Sequence, residues 1–252
     1  MSFHLSASLK INNIHNWDVS IKEAISIQRE LCVRLDLRKK IKKITTVAGA
    51  DMAIDDKMGY AGIIIYAFPQ MVEIERQFAV FKIEFPYVPG LLAFREAPIL
   101  LKAFEKVRTD PDVIIFDGQG IAHPRGMGIA SHMGLFLGKP AIGCAKSRLV
   151  GEYKEPGQNV GDWTPLFYSS SESLDFARDE SRSPRIIGAV LRTRKNVKPV
   201  FVSPGHLIDL QSSIEVVLAC LDRTRIPKPT READRFVSVI ASKAKQSQVS
   251  DT

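Results

Sequence analysis

Apolar residues at Ile21, Ala24, Ile25, Ile27 and Leu31 follow a Ser20/Glu23 capping pair. Near-helical spacing behind such a cap predicts an amphipathic helix from about Ser20 into the late 30s. The pattern then changes period. "ITTVAGADMAI", "YAGIIIYAF" and "VEIERQFAVFKIEF" are rich in β-branched and aromatic residues and are separated by the turn-prone "DDKMG" and "PQ". Three consecutive strands with short links predict an antiparallel meander. "APILLKAFEKV" then reads as a helix with Pro98 in its first turn. "PDVIIFDGQG" is a nearly continuous apolar run, the mark of a strand buried on both faces, and it ends in an acid and two glycines. "MGIASHMGLFLG" reads as a helix and "PAIGCAKSRL" as a short buried strand. "IIGAVLRTR" and "KPVFVSPGHLI" read as paired strands, and "LQSSIEVVLACL" as a closing helix. The expected fold is α/β, a mixed central sheet made of an antiparallel meander followed by parallel strands and flanked by helices.

Two segments fall outside this pattern. Residues 169–185, "SSSESLDFARDESRSPR", are Ser-rich and charged, and are expected to form a flexible insertion. Residues 1–225 are read as one catalytic domain and 226–252 as a polar extension whose end, "SKAKQSQVSDT", frays. No internal repeat is present.

Composition narrows the class of partner. The 252 residues are 45% apolar and 25% charged, ordinary for a globular protein, but the net charge is +7 and the pI about 9.3. A basic surface attracts phosphates through a long-range, salt-screened field. The run "RKKIKK", Arg38 to Lys43, is either a solvated face or a contact for such a backbone. Cys32, Cys144 and Cys220 show neither CxxC spacing nor a paired framework, which favours a reducing compartment and apolar filler roles. No signal-peptide pattern or stretch of membrane-spanning length occurs, so the expectation is a cytoplasmic chain without a membrane partner.

The candidate chemistry sits at strand ends. Asp51 interrupts the apolar "TVAGADMAI" and Asp117 closes "VIIFDG". Alone, each has a structural explanation, as a turn cap or as the start of an Asp-Gly turn. Together they matter more, because the first strand of a meander and the strand after a crossover helix are neighbours in common α/β arrangements. Facing carboxylates are stable when a divalent cation lies between them or one takes a proton, and oxygen ligands select Mg²⁺ or Mn²⁺. Glu96 is a third candidate oxygen, with a surface ion pair to Arg95 or Lys102 as its structural alternative. Lys146, after "AIGCA", and His206, in "VFVSPGH", also fall at strand ends, where open α/β sheets place their sites. His123 follows the glycine-rich "DGQG" and precedes Pro124, but the loop lacks the Lys-Ser/Thr of a nucleotide-binding P-loop, so no nucleotide cofactor is expected. In "FPYVPG", Pro86 and Pro89 stiffen the chain around Tyr87, as a wedge or platform requires. Acids, a lysine and histidines on a basic protein suit metal-assisted phosphodiester hydrolysis. Ser131 and Cys144 lack a base-and-elbow arrangement for covalent catalysis.

"VAGADMA", "PYVPGLLAFREAP", "DVIIFDGQGIAHPRGMGIASHMG", "KPAIGCAKSRLVGEY" and "VFVSPGH" together resemble the endonuclease V family, from the first helix to about Leu221. The resemblance implies a ribonuclease H-like fold and a Mg²⁺-dependent enzyme, with Mn²⁺ as substitute, acting as a monomer on inosine-containing DNA. It implies hydrolysis of the second phosphodiester bond 3′ to deaminated adenine, leaving 3′-hydroxyl and 5′-phosphate ends. By resemblance Asp51, Asp117 and Glu96 hold metal, Lys146 stands near the attacked phosphate, and His206 and His123 complete the catalytic set. "PYVP", Pro86, Tyr87, Val88 and Pro89, is the implied wedge. The flipped base would lie among the main chain at Gly90, Leu92 and Gly118 and the residues Ile129, Gly143 and Leu149. The alternatives are an inosine-specific ribonuclease on the same fold, for which RNA is the partner, and a metal-dependent phosphatase or phosphotransferase on a small substrate.

Overall fold

A computed structural model describes residues 9–168 and 185–250; the Ser-rich insertion expected at 169–185 lies outside them except for Arg185. Helix α1, Ile21–Cys32, opens with the expected capping box, Ser20 and Glu23 each bonding the other's backbone N–H. It ends well short of the late 30s. The chain then runs extended, because it must reach the start of the sheet and an extended chain covers over twice the distance per residue of a helix. Its backbone is tied to the far side of the protein: Asp36 N–H donates to His206 Nδ1 (3.3 Å), Ile41 N–H to Ser212 Oγ (3.2 Å), and Asp209 N–H to the Lys39 carbonyl (2.9 Å). "RKKIKK" is therefore an extended strap, with Ile41 packed inward and its lysines exposed.

Strands β1 (Thr46–Asp55), β2 (Met58–Ala67) and β3 (Val72–Lys82) form the antiparallel meander. Helix α2, Leu92–Phe104, starts five residues earlier than the "APILL" reading and holds Pro98 in its interior rather than its first turn. Eight of its side chains are buried, enough apolar contact to offset the backbone hydrogen bond that an interior proline forfeits. Strand β4 (Val113–Phe116), helix α3 (Ile129–Leu137) and strand β5 (Ala141–Ala145) follow. Then come β6 (Trp163–Phe167), β7 (Ile186–Leu191), β8 (Val200–His206) and helix α4 (Leu210–Ala219). β6, which carries Pro165, was not foreseen as a strand; it is the sheet edge, where proline is tolerated.

The eight strands form one mixed sheet in the order β3-β2-β1-β4-β5-β8-β7-β6. β1, β4 and β5 are parallel, and β8, β7 and β6 return antiparallel. Alternate strand residues feed two cores. Ala48, Ala50, Ile114 and Phe116 pack with α2 and α3 on one face, while Val47, Val113, Ile115 and Ile142 pack with α4 on the other.

The largest departure is at the C-terminus. Instead of a frayed polar extension, Lys228–Ser250 forms helix α5, lying on β1 and β2. Its overall polarity conceals a narrow apolar stripe: Ala233 and Val237 are buried and Phe236 joins the second core. The approach is close enough that a Cβ at Gly49 of β1 would lie 2.1 Å from the Pro229 backbone, so only glycine fits there.

Candidate metal centre

β1 and β4 are in parallel register with Ala50 opposite Phe116, which places Asp51 and Asp117 side by side just past the stretch where the two strands pair, β1 itself continuing to Asp55. The Asp117 N–H donates to the Ala50 carbonyl (3.3 Å), extending the ladder by one bond. Both acids share the strand parity of Val47, Val113 and Ile115, the face covered by α4 and α5. From α5 comes Asp234. One oxygen from each of Asp51, Asp117 and Asp234 lies within 4.8 Å of the others, the one such group among the described residues.

Glu96 was expected to be the third oxygen, and it falls outside that group. It belongs to α2, which packs on the face of the sheet opposite α4. Glu96 is still part of the charge cluster. Burial, then the nearness of Asp51 and Asp117, pushes its pKa up to about 8. Neither surface partner considered for it is used that way: Arg95 donates to the Phe85 carbonyl (3.0 Å) and Lys102 pairs with Glu105 (3.2 Å). Burial, then Asp117, likewise pushes Asp51 up to about 8. Among the described residues the Asp51 carboxylate accepts only its neighbour's N–H, from Met52 (2.8 Å). Lys146, just beyond β5, pairs with Asp117 (2.5 Å) and Asp234 (3.2 Å). Burial works against its charge, but those two acids outweigh it and raise its pKa. One ammonium among four carboxyl groups leaves the cluster short of positive charge, which a bound cation would supply.

The histidines belong elsewhere. β8 runs antiparallel to β5, so His206 lies opposite Ala141 at the start of β5, while Lys146 follows its end. At about 3.3 Å per residue those ends are roughly 16 Å apart, so the structure does not bring His206 to the acids. The expectation failed because a strand end marks the site edge only for strands parallel to β1. His123 is buried and held by three bonds: its Nε2 meets the Gly90 carbonyl (3.0 Å), and its Nδ1 accepts from the N–H groups of Arg125 (3.1 Å) and Met127 (3.3 Å). Burial, then the Arg125 charge, lowers its pKa to about 3, which favours the neutral ring.

The segment read as a wedge lies at the surface. Tyr87 is 71% exposed between exposed Pro86 and Pro89, while Val88 packs with Phe85, Leu91 and Phe94 beneath. Leu92 is exposed in the first turn of α2, and Gly118 is half-buried beside Asp117. Of the implied pocket, Leu149 is half-exposed, but Ile129 is buried beneath Gly118, and Gly143 lies directly behind the Gly118–Gly120 backbone. Asp234 is the residue that sequence reasoning missed. The available signal was Gly49 in a strand, which announces a close neighbour on the face where Asp51 points.

The endonuclease V family model matches residues 29–235, and so includes Asp234. The endonuclease V of Kosmotoga olearia is 43% identical over 225 residues, covering 89% of this chain and 94% of that protein. A crystal structure of the Bacillus subtilis endonuclease V matches with a TM-score of 0.84 and 34% identity over 94% of this chain and 99% of that one. A variant of the Ciona intestinalis endonuclease V, in complex with a 23mer DNA containing an inosine followed by a ribo-adenosine, matches with a TM-score of 0.73 and 26% identity over 89% and 98% of the two chains. Sequence along most of the chain, the sheet order and the clustered acids thus lead to one assignment: the chain belongs to the endonuclease V family.

Proposed function

We propose that the chain is a divalent-cation-dependent endonuclease that recognises deoxyinosine in DNA and hydrolyses the second phosphodiester bond on its 3′ side, leaving 3′-hydroxyl and 5′-phosphate ends. Family membership makes it a nuclease, hence a hydrolase. The observation that carries the cation dependence is the convergence of Asp51, Asp117 and Asp234 from β1, the end of β4 and α5. The inosine-containing DNA bound by the Ciona protein supports the substrate, and the position of the cut follows from the family resemblance.

Three carboxylate oxygens within 4.8 Å are a hard donor set that fits Mg²⁺, with Mn²⁺ able to substitute. Asp51, Asp117 and Asp234 would hold the ion, which when bound supplies Lewis-acid stabilisation of charge at the scissile phosphate. The chain's own groups divide the remaining work. Lys146, exposed at the rim and tethered to Asp117 and Asp234, orients a phosphate oxygen. Glu96, buried and close enough to Asp51 and Asp117 to feel their charge, completes the acidic cluster. Tyr87 fills the space left in the stack when the base flips, and its proline bracket keeps the unstacking from being lost to side-chain freedom. Leu92, Gly118 and Leu149 face the flipped base, with Ile129 and Gly143 as backing behind the loop.

A labelled duplex with one deoxyinosine, incubated with Mg²⁺ or with a chelator, tests the reading directly. The expected result is a single cut at the second bond 3′ to the lesion, only when Mg²⁺ is present, with an undamaged duplex left intact. Cutting with the chelator present, or equal cutting of both duplexes, would contradict it. A strand carrying inosine as a ribonucleotide, run alongside, ranks DNA against RNA.

A further inference from the structure

Gln28 is a fully buried polar residue on an otherwise amphipathic surface helix, and no step of the proposed chemistry uses it. Its amide nitrogen donates to the carbonyls of Gly90 (3.1 Å) and Met127 (3.2 Å), and its oxygen accepts from Arg125 Nε (2.5 Å). Arg125 Nη2 donates to the same Gly90 carbonyl (2.6 Å), as does His123 Nε2 (3.0 Å). One carbonyl thus takes three donors, one of them a guanidinium, more than its two lone pairs satisfy singly. Gly90 is the last residue of "FPYVPG" and turns the chain with φ +77°. At the other end of that segment Arg95 holds the Phe85 carbonyl (3.0 Å). Between these two anchors Tyr87 stands exposed.

Prolines stiffen a loop internally but do not fix its direction relative to the body; anchors do. We propose that Gln28 and Arg125 are positioning residues which, together with His123, clamp the Gly90 carbonyl and so set where Tyr87 enters a duplex. The inference rests on the proposed action at inosine, and assigns the buried His123 to the wedge rather than to proton transfer. The clamp joins α1, the loop after β4 and the wedge, three segments far apart in sequence. Its loss would leave the loop stiff but free to pivot at Gly90. A displacement of about 1 Å at a positioning group is enough to cost on the order of a hundredfold in rate.

A duplex needs the wedge, because a base must be unstacked and its place filled; a single strand offers its base without that step. The test therefore compares cleavage of one inosine-containing strand alone and in a duplex, with Mg²⁺, by the wild-type chain, Gln28→Leu, Arg125→Lys and Tyr87→Ala. Gln28→Leu and Arg125→Lys should lose roughly tenfold or more in kcat/KM on the duplex and stay within about twofold of wild type on the single strand, and Tyr87→Ala should lose at least as much on the duplex. Gln28→Glu, which keeps the acceptor for Arg125 but turns an oxygen toward the Gly90 and Met127 carbonyls, should lose at least as much on the duplex as Gln28→Leu. Equal losses on both substrates would make the residues merely structural and overturn the proposal, as would an undiminished duplex rate. If Gln28→Leu fails to fold, Arg125→Lys, half-exposed and keeping its charge, decides alone. Should the wild-type chain cut neither substrate, the activity reading fails, a result distinct from failure of the clamp.

Discussion

The two ends of the β1/β4 strand pair each carry carboxylates, and they are treated in opposite ways. At the start of the pair Asp112 accepts from the backbone N–H groups of Thr45 (2.7 Å) and Thr46 (3.0 Å) and from the Thr45 hydroxyl (2.9 Å). Burial pushes against its charge, but those bonds outweigh it and its pKa is lowered. At the far end Asp51 accepts one neighbouring N–H, faces Asp117 and Asp234, and is pushed up to about 8. One end satisfies its acid; the other gathers acids and leaves them short of partners. Folding alone gives no reason for the second arrangement, and that deficit is compatible with a divalent-cation site.

Removing an acid from each end should break the comparison most sharply. Asp117→Ala or Asp51→Ala should lower cleavage of inosine DNA by at least about a thousandfold, since each 1.36 kcal/mol of lost transition-state stabilisation is tenfold, while binding to the inosine duplex largely persists. Cleavage by either variant at the wild-type rate would refute the site. Asp234→Asn should show the same pattern in a gel assay, and an unchanged Mg²⁺ requirement in that variant would return the third position to Glu96.

The pH dependence of stability should also differ between the ends. Asp51 and Glu96 bind protons more tightly in the fold, at about 8, than at their ordinary values of 3.8 and 4.5. Their contribution therefore favours the fold below about pH 4 and is lost as pH rises through 8. Asp112, with a lowered pKa, contributes stability above its ordinary 3.8 that is lost as pH falls. Thermal melts should accordingly show Mg²⁺ raising Tm more at pH 8.5 than at pH 5.5. At about a hundredfold over Kd the linkage is about 2.7 kcal/mol, or about 5–10 °C for a chain this size. An equal shift at both pH values would argue against an ion bound by these carboxyl groups. Asp112→Ala should have the smallest functional effect, costing about 1–3 kcal/mol of stability while leaving the rate with Mg²⁺ unchanged.

Local pattern made much of this legible. The meander, the β4 strand and the Ser20 cap are written in periods and turn residues, and the pairing of Asp51 with Asp117 follows from β1 and β4 being neighbours. What stayed hidden depended on distant geometry. His206 ends a strand like the others, but no local signal says that β8 runs antiparallel to β5. Asp234 lies in a helix whose apolar stripe is too narrow to stand out from its charged residues, and Gly49 and Gly62, far away in sequence, record how closely that helix packs. The direction of "RKKIKK" was likewise set by Ser212 and Asp209, not by its own helix propensity.

The central claim is that the crowded acids at the far end of β1 and β4 are a cation site. A crystal soaked in Mn²⁺ and measured for anomalous scattering tests it most directly. The expected result is a peak within about 2.0–2.4 Å of oxygens from Asp51, Asp117 and Asp234. A map with no peak there under saturating Mn²⁺, or with those carboxylates turned to opposite faces of the sheet, would contradict it.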